Sequence, residues 1–289
     1  MRDTQIFRLR IFVFIRDTYN GLFSEFWNYN NGEGVIEMFK VELGNTANET
    51  IIFLHGGGLD HTQWKEVIPR LSERFHCVAV DLPMHGRSVH IPLTMEGVVN
   101  QLRELFAQYG QVHVVGLSLG GAVTLTALNR LSQYIKSAVI SGTTVALRRE
   151  DVKLLNTYVA PVYRVIKPEW MAIMMMKGFN IPPRFKKEIN RASQLISVEQ
   201  VRSMFNVLVE VELPILNQSP LLVVAGEKEN NLVKRAQAEI TAYVDNSEAA
   251  IAPKVGHVWS YENPVLFAEV IEQWCTNQTV HYVLKRGEN

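Results

Sequence analysis

The sequence predicts an α/β fold: a mostly parallel, doubly wound sheet with a helical cap inserted late in that sheet. First, from about residue 37 onward, short apolar runs alternate with stretches of helical period, which is typical of βαβ units. Second, most of these runs are unbroken, as expected for strands that are covered on both faces. Third, residues 143–219 contain helical periods and no strand pattern.

Seven apolar runs are the predicted strands. In chain order they cover residues 38–43, 50–54, 77–81, 112–117, 137–141, 221–225 and 248–252. The predicted helices that accompany them cover residues 64–74, 94–109, 118–131, 232–243 and 264–275. In the last of these, Asn263 stands where an N-cap is needed, and Pro264 occupies the first helical position, where a missing N–H does no harm.

The stretch without strands divides the chain into a core and a cap. We expect residues 38–142 and 220–289 to form the core and residues 143–219 to form the cap. Apolar stripes at helical spacing support the cap, and Pro168, Pro182 and Pro214 punctuate it. Its methionine-rich run either packs the cap helices together or forms a pliant apolar wall for a substrate. The members of that run are Met171, Met174, Met175 and Met176.

Residues 1–37 are interpreted as an N-terminal extension without a readable period. The apolar run at residues 11–15 lies between Arg10 and Arg16 and is too short to span a bilayer. The segment also lacks the small-residue cleavage site of a signal peptide. Two interpretations are open. Either the native chain begins at Met38, behind codons for residues 33–35 that can resemble a bacterial ribosome-binding site, or the segment is an amphipathic arm that packs on the core.

The composition is that of an ordinary globular protein with a sizeable core. Of 289 residues, 47% are hydrophobic and 20% are charged, and 29 basic residues balance 29 acidic ones. Without a net charge to attract them, neither nucleic acid nor an anionic membrane is an expected partner. Cys77 and Cys275 lack the spacing of metal ligands, so no metal is expected. Two core thiols suit a reducing compartment, and we expect the cytoplasm.

The segment 112–122, Val-His-Val-Val-Gly-Leu-Ser-Leu-Gly-Gly-Ala, carries the strongest functional signal. A β-branched run stops at Gly116, Ser118 follows, and a helix of small residues begins at once. Such a sharp turn presents one side chain at its tip and strains the backbone there, so glycines are needed at Gly116 and Gly120. Because the helix N-terminus directs free N–H groups towards an oxyanion, Ser118 is the predicted nucleophile.

Two backbone amides are predicted to hold that oxyanion. Residues 55–58, His-Gly-Gly-Gly, follow the strand 50–54, and glycines there let an N–H approach a ligand closely. We assign the first donor to Gly57, with Gly58 as the alternative, and the second donor to Leu119. His55 is expected to brace the loop. A glycine-rich turn with no catalytic part is the competing interpretation.

The predicted general base is His257, and its predicted acid partner is Glu229. His257 follows the strand 248–252 on a loop, with Gly256 before it and a capped helix after it. Glu229 follows the strand 221–225, where a carboxylate can hold the imidazole tautomer and stabilise the imidazolium. Glu227 is the second choice for the acid, and either glutamate can instead be a solvated loop charge.

Four motifs, in this order, resemble those of the α/β-hydrolase fold superfamily. They are His-Gly-Gly-Gly at residues 55–58, Asp-Leu-Pro-Met-His-Gly-Arg-Ser at 81–88, Gly-Leu-Ser-Leu-Gly-Gly at 116–121 and Gly-His at 256–257. The resemblance covers roughly residues 38–275, including the position of the cap. It implies cofactor-free cleavage of esters, thioesters, lactones or related bonds. The chain departs from the pattern at Glu229, where the family usually has Asp, and at Met84, where many relatives have glycine.

The predicted function is that of a serine hydrolase that cleaves a small or medium carboxylic ester through an acyl-serine intermediate. Its substrate is expected to be a small molecule with an apolar acyl part, which the apolar cap would suit. The alternatives are a carbon–carbon hydrolase, lactonase or lyase that uses the same three residues, and a non-catalytic ligand-binding protein of the same fold.

Overall fold

The computed structural model describes residues 37–145 and 147–286. Both interpretations of the N-terminal extension therefore fall, apart from residue 37, outside the described residues. Within the two described ranges, no helix is long and apolar enough to cross a bilayer.

One eight-stranded sheet forms the centre of the protein. Its strands are β1 (Lys40–Leu43), β2 (Thr50–Leu54), β3 (His76–Val80), β4 (Val112–Leu117), β5 (Ile135–Ser141), β6 (Leu221–Gly226), β7 (Ser247–Ala252) and β8 (Lys285–Arg286). They lie in the order β1-β3-β2-β4-β5-β6-β7-β8. Only the two edge strands are antiparallel to their neighbours, β1 to β3 and β8 to β7. The prediction of a mostly parallel sheet is therefore confirmed.

The first seven strands begin and end within two residues of the predicted limits. The eighth was not predicted, because it consists of two exposed basic residues and has no apolar run. Parallel strands all end at the same edge of a sheet, so the loops after β2, β4, β5, β6 and β7 meet there. This edge carries the predicted site residues.

The described part of the chain contains ten α-helices. Their bounds are α1 (Ile68–Leu71), α2 (Met95–Tyr109), α3 (Leu119–Arg130), α4 (Arg149–Leu154), α5 (Pro168–Gly178), α6 (Lys186–Ser193), α7 (Val198–Val209), α8 (Asn231–Tyr243), α9 (Trp259–Glu262) and α10 (Pro264–Asn277). The helix predicted over residues 64–74 is instead a 3₁₀ turn, His61–Trp64, followed by the short α1. Pro69 explains the break, because it has no N–H to donate to the preceding turn.

The sheet separates two apolar clusters, which fits its doubly wound construction. Along β2, Ile51 and Phe53 belong to one cluster, whereas Ile52 and Leu54 belong to the other. Because side chains alternate between the faces of a strand, both faces of β2 are buried, as its unbroken apolar run predicted. Helix α10 covers the first face and helix α2 covers the second, each with its own apolar stripe.

The chain between β5 and β6 contains four α-helices, α4 to α7, and no strand among its described residues. A π-helical turn, Leu155–Val159, continues α4 directly. Ala160 packs against Val198 and Val201 of α7 in a small third apolar cluster, separate from the two beside the sheet. The helices of this segment thus have contacts of their own, while Met175 of α5 also joins the first sheet cluster.

Candidate active site

Ser118 stands at the tip of a sharp turn between β4 and α3. Its backbone has φ 53° and ψ −110°, a region that residues with a side chain rarely adopt. A Cβ atom on Gly116 would lie 2.5 Å from the Gly120 carbonyl oxygen, and one on Gly120 would lie 2.1 Å from the Leu54 carbonyl oxygen. Neighbouring backbone atoms therefore leave no room for a side chain at either position. This agrees with the sequence analysis, which expected glycines on both sides of the sharp turn.

Glu229 and His257 are in direct contact. Nδ1 of His257 lies 2.5 Å from Oε1 of Glu229, and the Gly226 amide donates to Oε2 over 3.0 Å. The Glu229 side chain is only 2% exposed. An ionised carboxylate can only accept, so in a neutral His257 ring that donates to Glu229 from Nδ1, the other nitrogen, Nε2, is an acceptor.

Glu227 points to a different part of the surface. Its carboxylate bonds Lys285 Nζ at 2.5 Å and accepts from the Lys254 amide at 2.8 Å. The bonds from Lys285 and Lys254 hold the pKa of Glu227 below its ordinary value. Of the two glutamates that the sequence left open, the structure brings only Glu229 to His257.

Ser118 and His257 approach the same short segment at the end of β5. The Ser118 amide donates to the Ser141 carbonyl over 2.8 Å. At the next residue, a Cβ atom on Gly142 would lie 2.9 Å from Cε1 and Nδ1 of His257. Among the described residues, the Ser118 hydroxyl forms no hydrogen bond to the His257 ring. In free enzymes such contacts often tighten only when substrate binds, so this geometry is compatible with a serine–histidine pair.

The two predicted amide donors are neighbours. A Cβ atom on Gly57 would lie 3.8 Å from Cβ of Leu119, and neither amide donates to an acceptor in the described ranges. The Gly56 amide, in contrast, donates to Gln63 Oε1 over 2.9 Å. The amide of Gly58, the alternative first donor, also forms no hydrogen bond to another described backbone group. The free N–H groups at the start of α3 add a favourable dipole for an anion.

His55 braces the loop that carries these glycines. Its Nδ1 bonds the Gly56 carbonyl at 2.8 Å, and its Nε2 accepts from the Leu82 amide at 2.9 Å. Burial is the main reason that the pKa of His55 lies below its ordinary value, although Asp81 raises it. A neutral ring with one donor and one acceptor satisfies both contacts.

Side chains from the segment between β5 and β6 lie over the glycine loop. Met204 Sδ would be 2.7 Å from a Cβ on Gly57, while Ile196 and Met175 would be 3.4 and 3.5 Å from a Cβ on Gly58. Met175 and Met171 both belong to the methionine-rich run, and both are also buried in the first apolar cluster. We refer to Met175, Ile196 and Met204 as the apolar roof. Sequence reasoning did not identify Ile196 or Met204, because nothing in the chain near them signals the contact.

His257 also lines an open cleft of 660 Å³. The loop after α5 forms one wall, and the Phe179 ring stacks on the His257 ring with centroids 5.3 Å apart and planes 29° apart. Asn180 Nδ2 donates to Glu262 Oε2 over 2.8 Å, also at this cleft. These three residues were also missed, since residues 179–180 and 262 are brought to His257 only by tertiary packing.

Asp60, His61 and Asp81 are the described residues whose side-chain atoms are grouped closely enough to hold a metal ion. The carboxylates already have donors. Asp60 accepts from the Arg191 guanidinium at 2.9 Å, and Asp81 accepts from His61 Nδ1 at 2.8 Å and from the Arg87 amide at 2.7 Å. A cation there would compete with Arg191, so the group is better explained as support for the loops after β2 and β3.

A sequence model described as the alpha/beta hydrolase family matches residues 51–270. An AB hydrolase superfamily protein of Gibberella zeae is 27% identical over 245 residues, covering 81% of this chain and 82% of that protein. The 2-hydroxy-6-oxo-6-(2'-aminophenyl)hexa-2,4-dienoic acid hydrolase of Metapseudomonas resinovorans is 23% identical over 273 residues, covering 88% and 90%. The structure of a thermophilic esterase from Thermogutta terrifontis superimposes with a TM-score of 0.71 at 21% identity, covering 82% of this chain and 92% of that one.

Proposed function

The chain belongs to the alpha/beta hydrolase family, and on that basis we propose that it is a serine hydrolase that cleaves a small or medium carboxylic ester. In this proposal Ser118 is the nucleophile, His257 the general base and Glu229 the acid that orients it. Gly57 and Leu119 supply the oxyanion donors. The observation that carries the proposal is the 2.5 Å contact between His257 Nδ1 and the buried Glu229 carboxylate.

The reaction would proceed in two halves. His257 Nε2 removes the Ser118 proton as Oγ attacks the ester carbonyl, and the amides of Gly57 and Leu119 bind the resulting oxyanion. When the carbon–oxygen bond of the ester breaks, the imidazolium returns the proton to the leaving alcohol. Water then attacks the acyl-serine with His257 again as base, and Ser118 Oγ leaves with the proton from the imidazolium.

The apolar roof supports an apolar acyl part in the substrate. We propose that residues 143–219 act as a cap over the core formed by residues 38–142 and 220–289, with Met175, Ile196 and Met204 facing the oxyanion loop. Methionine adapts to varied shapes, and each methylene group that is buried contributes about 0.8 kcal/mol. The two free cysteines, both buried, are compatible with a cytoplasmic enzyme.

A carbon–carbon hydrolase is the second candidate. The reason is the similarity to the hydrolase of Metapseudomonas resinovorans, which extends over 88% of this chain. A panel of short p-nitrophenyl esters, a lactone and a vinylogous 1,5-diketone acid would separate the candidates, because only the preferred scissile bond should give a high kcat/KM. A lactonase or lyase would be recognised by the same panel.

Labelling with a fluorophosphonate tests the proposal directly. We expect one covalent adduct per chain, located at Ser118 by peptide mass spectrometry, together with turnover of p-nitrophenyl acetate or butyrate. A folded protein that gives neither the adduct nor turnover would contradict the proposal and favour a ligand-binding protein of the same fold.

Gly57→Ala is expected to lower kcat/KM for a short ester by about tenfold, which corresponds to about 1.4 kcal/mol. The new methyl group would be 2.7 Å from Met204 Sδ and would force that side chain, or the loop, to move within the site. Met204→Ala in the same chain should recover most of the loss. Met174→Ala, at an exposed position of α5, is the matched control for a methionine truncation. Failure of Met204→Ala to relieve the defect would contradict this steric explanation.

A further inference from the structure

We propose that Asn180 and Glu262 form a clasp that positions His257. Through this clasp, the position of the end of α5 sets the alignment of the general base. The proposal rests on the function proposed above, because it concerns the same histidine. Asn180 and Glu262 act as positioning residues, since neither is placed to touch the reacting atoms.

A single carboxylate joins the two sides of the clasp. Glu262, the last residue of α9, accepts from the Gly256 amide at Oε1 over 2.7 Å. At Oε2 it accepts from Asn180 Nδ2 over 2.8 Å. Gly256 directly precedes His257, so Glu262 links the histidine loop to the end of α5. The bond from Gly256 is partly buried and the bond from Asn180 is exposed, so one carboxylate joins the histidine loop to the end of α5 at the protein surface.

The end of α5 presents Asn180 in a defined orientation. Asn180 has φ 52°, and the following amide, that of Ile181, donates to the Met176 carbonyl over 2.8 Å. A left-handed residue after the last helical turn is a common way to end a helix, and asparagine tolerates that conformation better than most residues. The backbone conformation at the end of α5 therefore does not depend on the side-chain bond from Asn180 to Glu262.

Phe179, one residue earlier, contacts the imidazole itself. Its ring stacks on His257, while Glu229 engages Nδ1 and Gly142 lies against the Cε1 edge. In the described structure the imidazole is thus held on one face, at one nitrogen and along one edge. The remaining nitrogen, Nε2, has no hydrogen bond to a described residue. This is the atom that the proposed reaction needs free.

The sheet core alone does not supply this restraint. Phe179 and Asn180 come from the segment between β5 and β6, whereas Gly256, His257 and Glu262 follow β7. If the end of α5 moved away, the imidazole would lose its stacking partner and Glu262 would lose one of its two donors. Small displacements of a catalytic group of about 1 Å can cost about a hundredfold in rate.

Asn180→Gly is the cleanest variant, because glycine accepts the left-handed backbone and removes only the amide. Glu262→Ala removes both bonds, whereas Glu262→Gln keeps an acceptor for Gly256 and can still bond Asn180 after its amide flips. Glu269→Ala, an exposed glutamate on α10, is the matched control for loss of a carboxylate. Unfolding temperatures from circular dichroism would show that each variant folds.

Two measurements would be made on the full chain. For p-nitrophenyl acetate, we expect Asn180→Gly and Glu262→Ala to lower kcat by about tenfold with KM changed less than twofold. The low-field proton resonance of His257 Nδ1–H, identified by its loss in His257→Ala, should shift or broaden in both variants. Glu262→Gln should retain more activity than Glu262→Ala, and Glu269→Ala should match wild type in both measurements.

The proposal is overturned if Asn180→Gly and Glu262→Ala fold and leave both kcat and the resonance unchanged. Failure of the proposed function would look different: the fluorophosphonate would not label Ser118 in the wild-type protein. In that case the resonance alone decides, and an unchanged signal in the two variants would still overturn the clasp. Variants that lower kcat only through global unfolding would be recognised by their unfolding temperatures. For such variants, an unchanged His257 resonance in the folded fraction would contradict the clasp.

Discussion

Ser118→Ala is expected to lower kcat for a short activated ester by about a millionfold, the loss seen when the nucleophile of a serine hydrolase is removed. The reason is chemical, since no other described side chain at the elbow can form the acyl intermediate. The variant should keep the fold, because alanine retains the Cβ atom and meets the same backbone strain at φ 53°. Activity would be measured with p-nitrophenyl butyrate and folding with thermal denaturation.

The matched control for this change is Ser132→Ala, which truncates an exposed serine in the 3₁₀ turn after α3. Its activity should equal that of the wild-type chain. Retention of turnover or of fluorophosphonate labelling by Ser118→Ala would remove Ser118 from the proposed role.

Glu229→Gln is expected to lower kcat by about ten-thousandfold, comparable to the effect of replacing the acid of a serine protease by its amide. The glutamine NH₂ can donate to His257 Nδ1, which would favour the tautomer with its proton on Nε2. That tautomer cannot accept the Ser118 proton. The Gly226 amide still has an oxygen to bond, so the loop after β6 should keep its position.

Glu227→Gln is the matched control, two residues away on the same loop. Its carboxylate bonds Lys285 and the Lys254 amide instead of His257, so the activity of this variant should stay within twofold of wild type. The reverse outcome, a large loss for Glu227→Gln and a small one for Glu229→Gln, would show that the acid is misassigned.

The elbow is the part of the site that sequence alone predicts best, because its cause is local. Gly116 and Gly120 lie within two residues of Ser118, and the steric reason for them follows from the turn itself. The alternation of apolar runs with helical stretches predicted seven strands for a similar reason, since in most of these strands burial on both faces produces a short unbroken apolar run. The helix expected at residues 64–74 is replaced by a 3₁₀ turn and the short α1, because Pro69 has no N–H to continue a helix across this stretch.

The choice between Glu229 and Glu227 shows where this reasoning stops. Both follow β6, and both are glutamates on one short loop. Their directions depend on a tight turn in which the Glu229 amide donates to the Gly226 carbonyl, and on Lys285 of the edge strand. Neither feature has a signature in the neighbouring residues.

From its residue order alone, this chain determined a parallel α/β sheet and the positions along it of a serine, a histidine and two candidate acids. Only the tertiary structure decided which glutamate meets His257, and that Phe179, Asn180, Glu262 and Met204 border the site. The physical reason is the distance along the chain over which each effect acts. Strand burial and turn sterics act between neighbours in the chain, whereas a contact such as Asn180 with Glu262 joins residues 82 positions apart and forms only when separate elements pack.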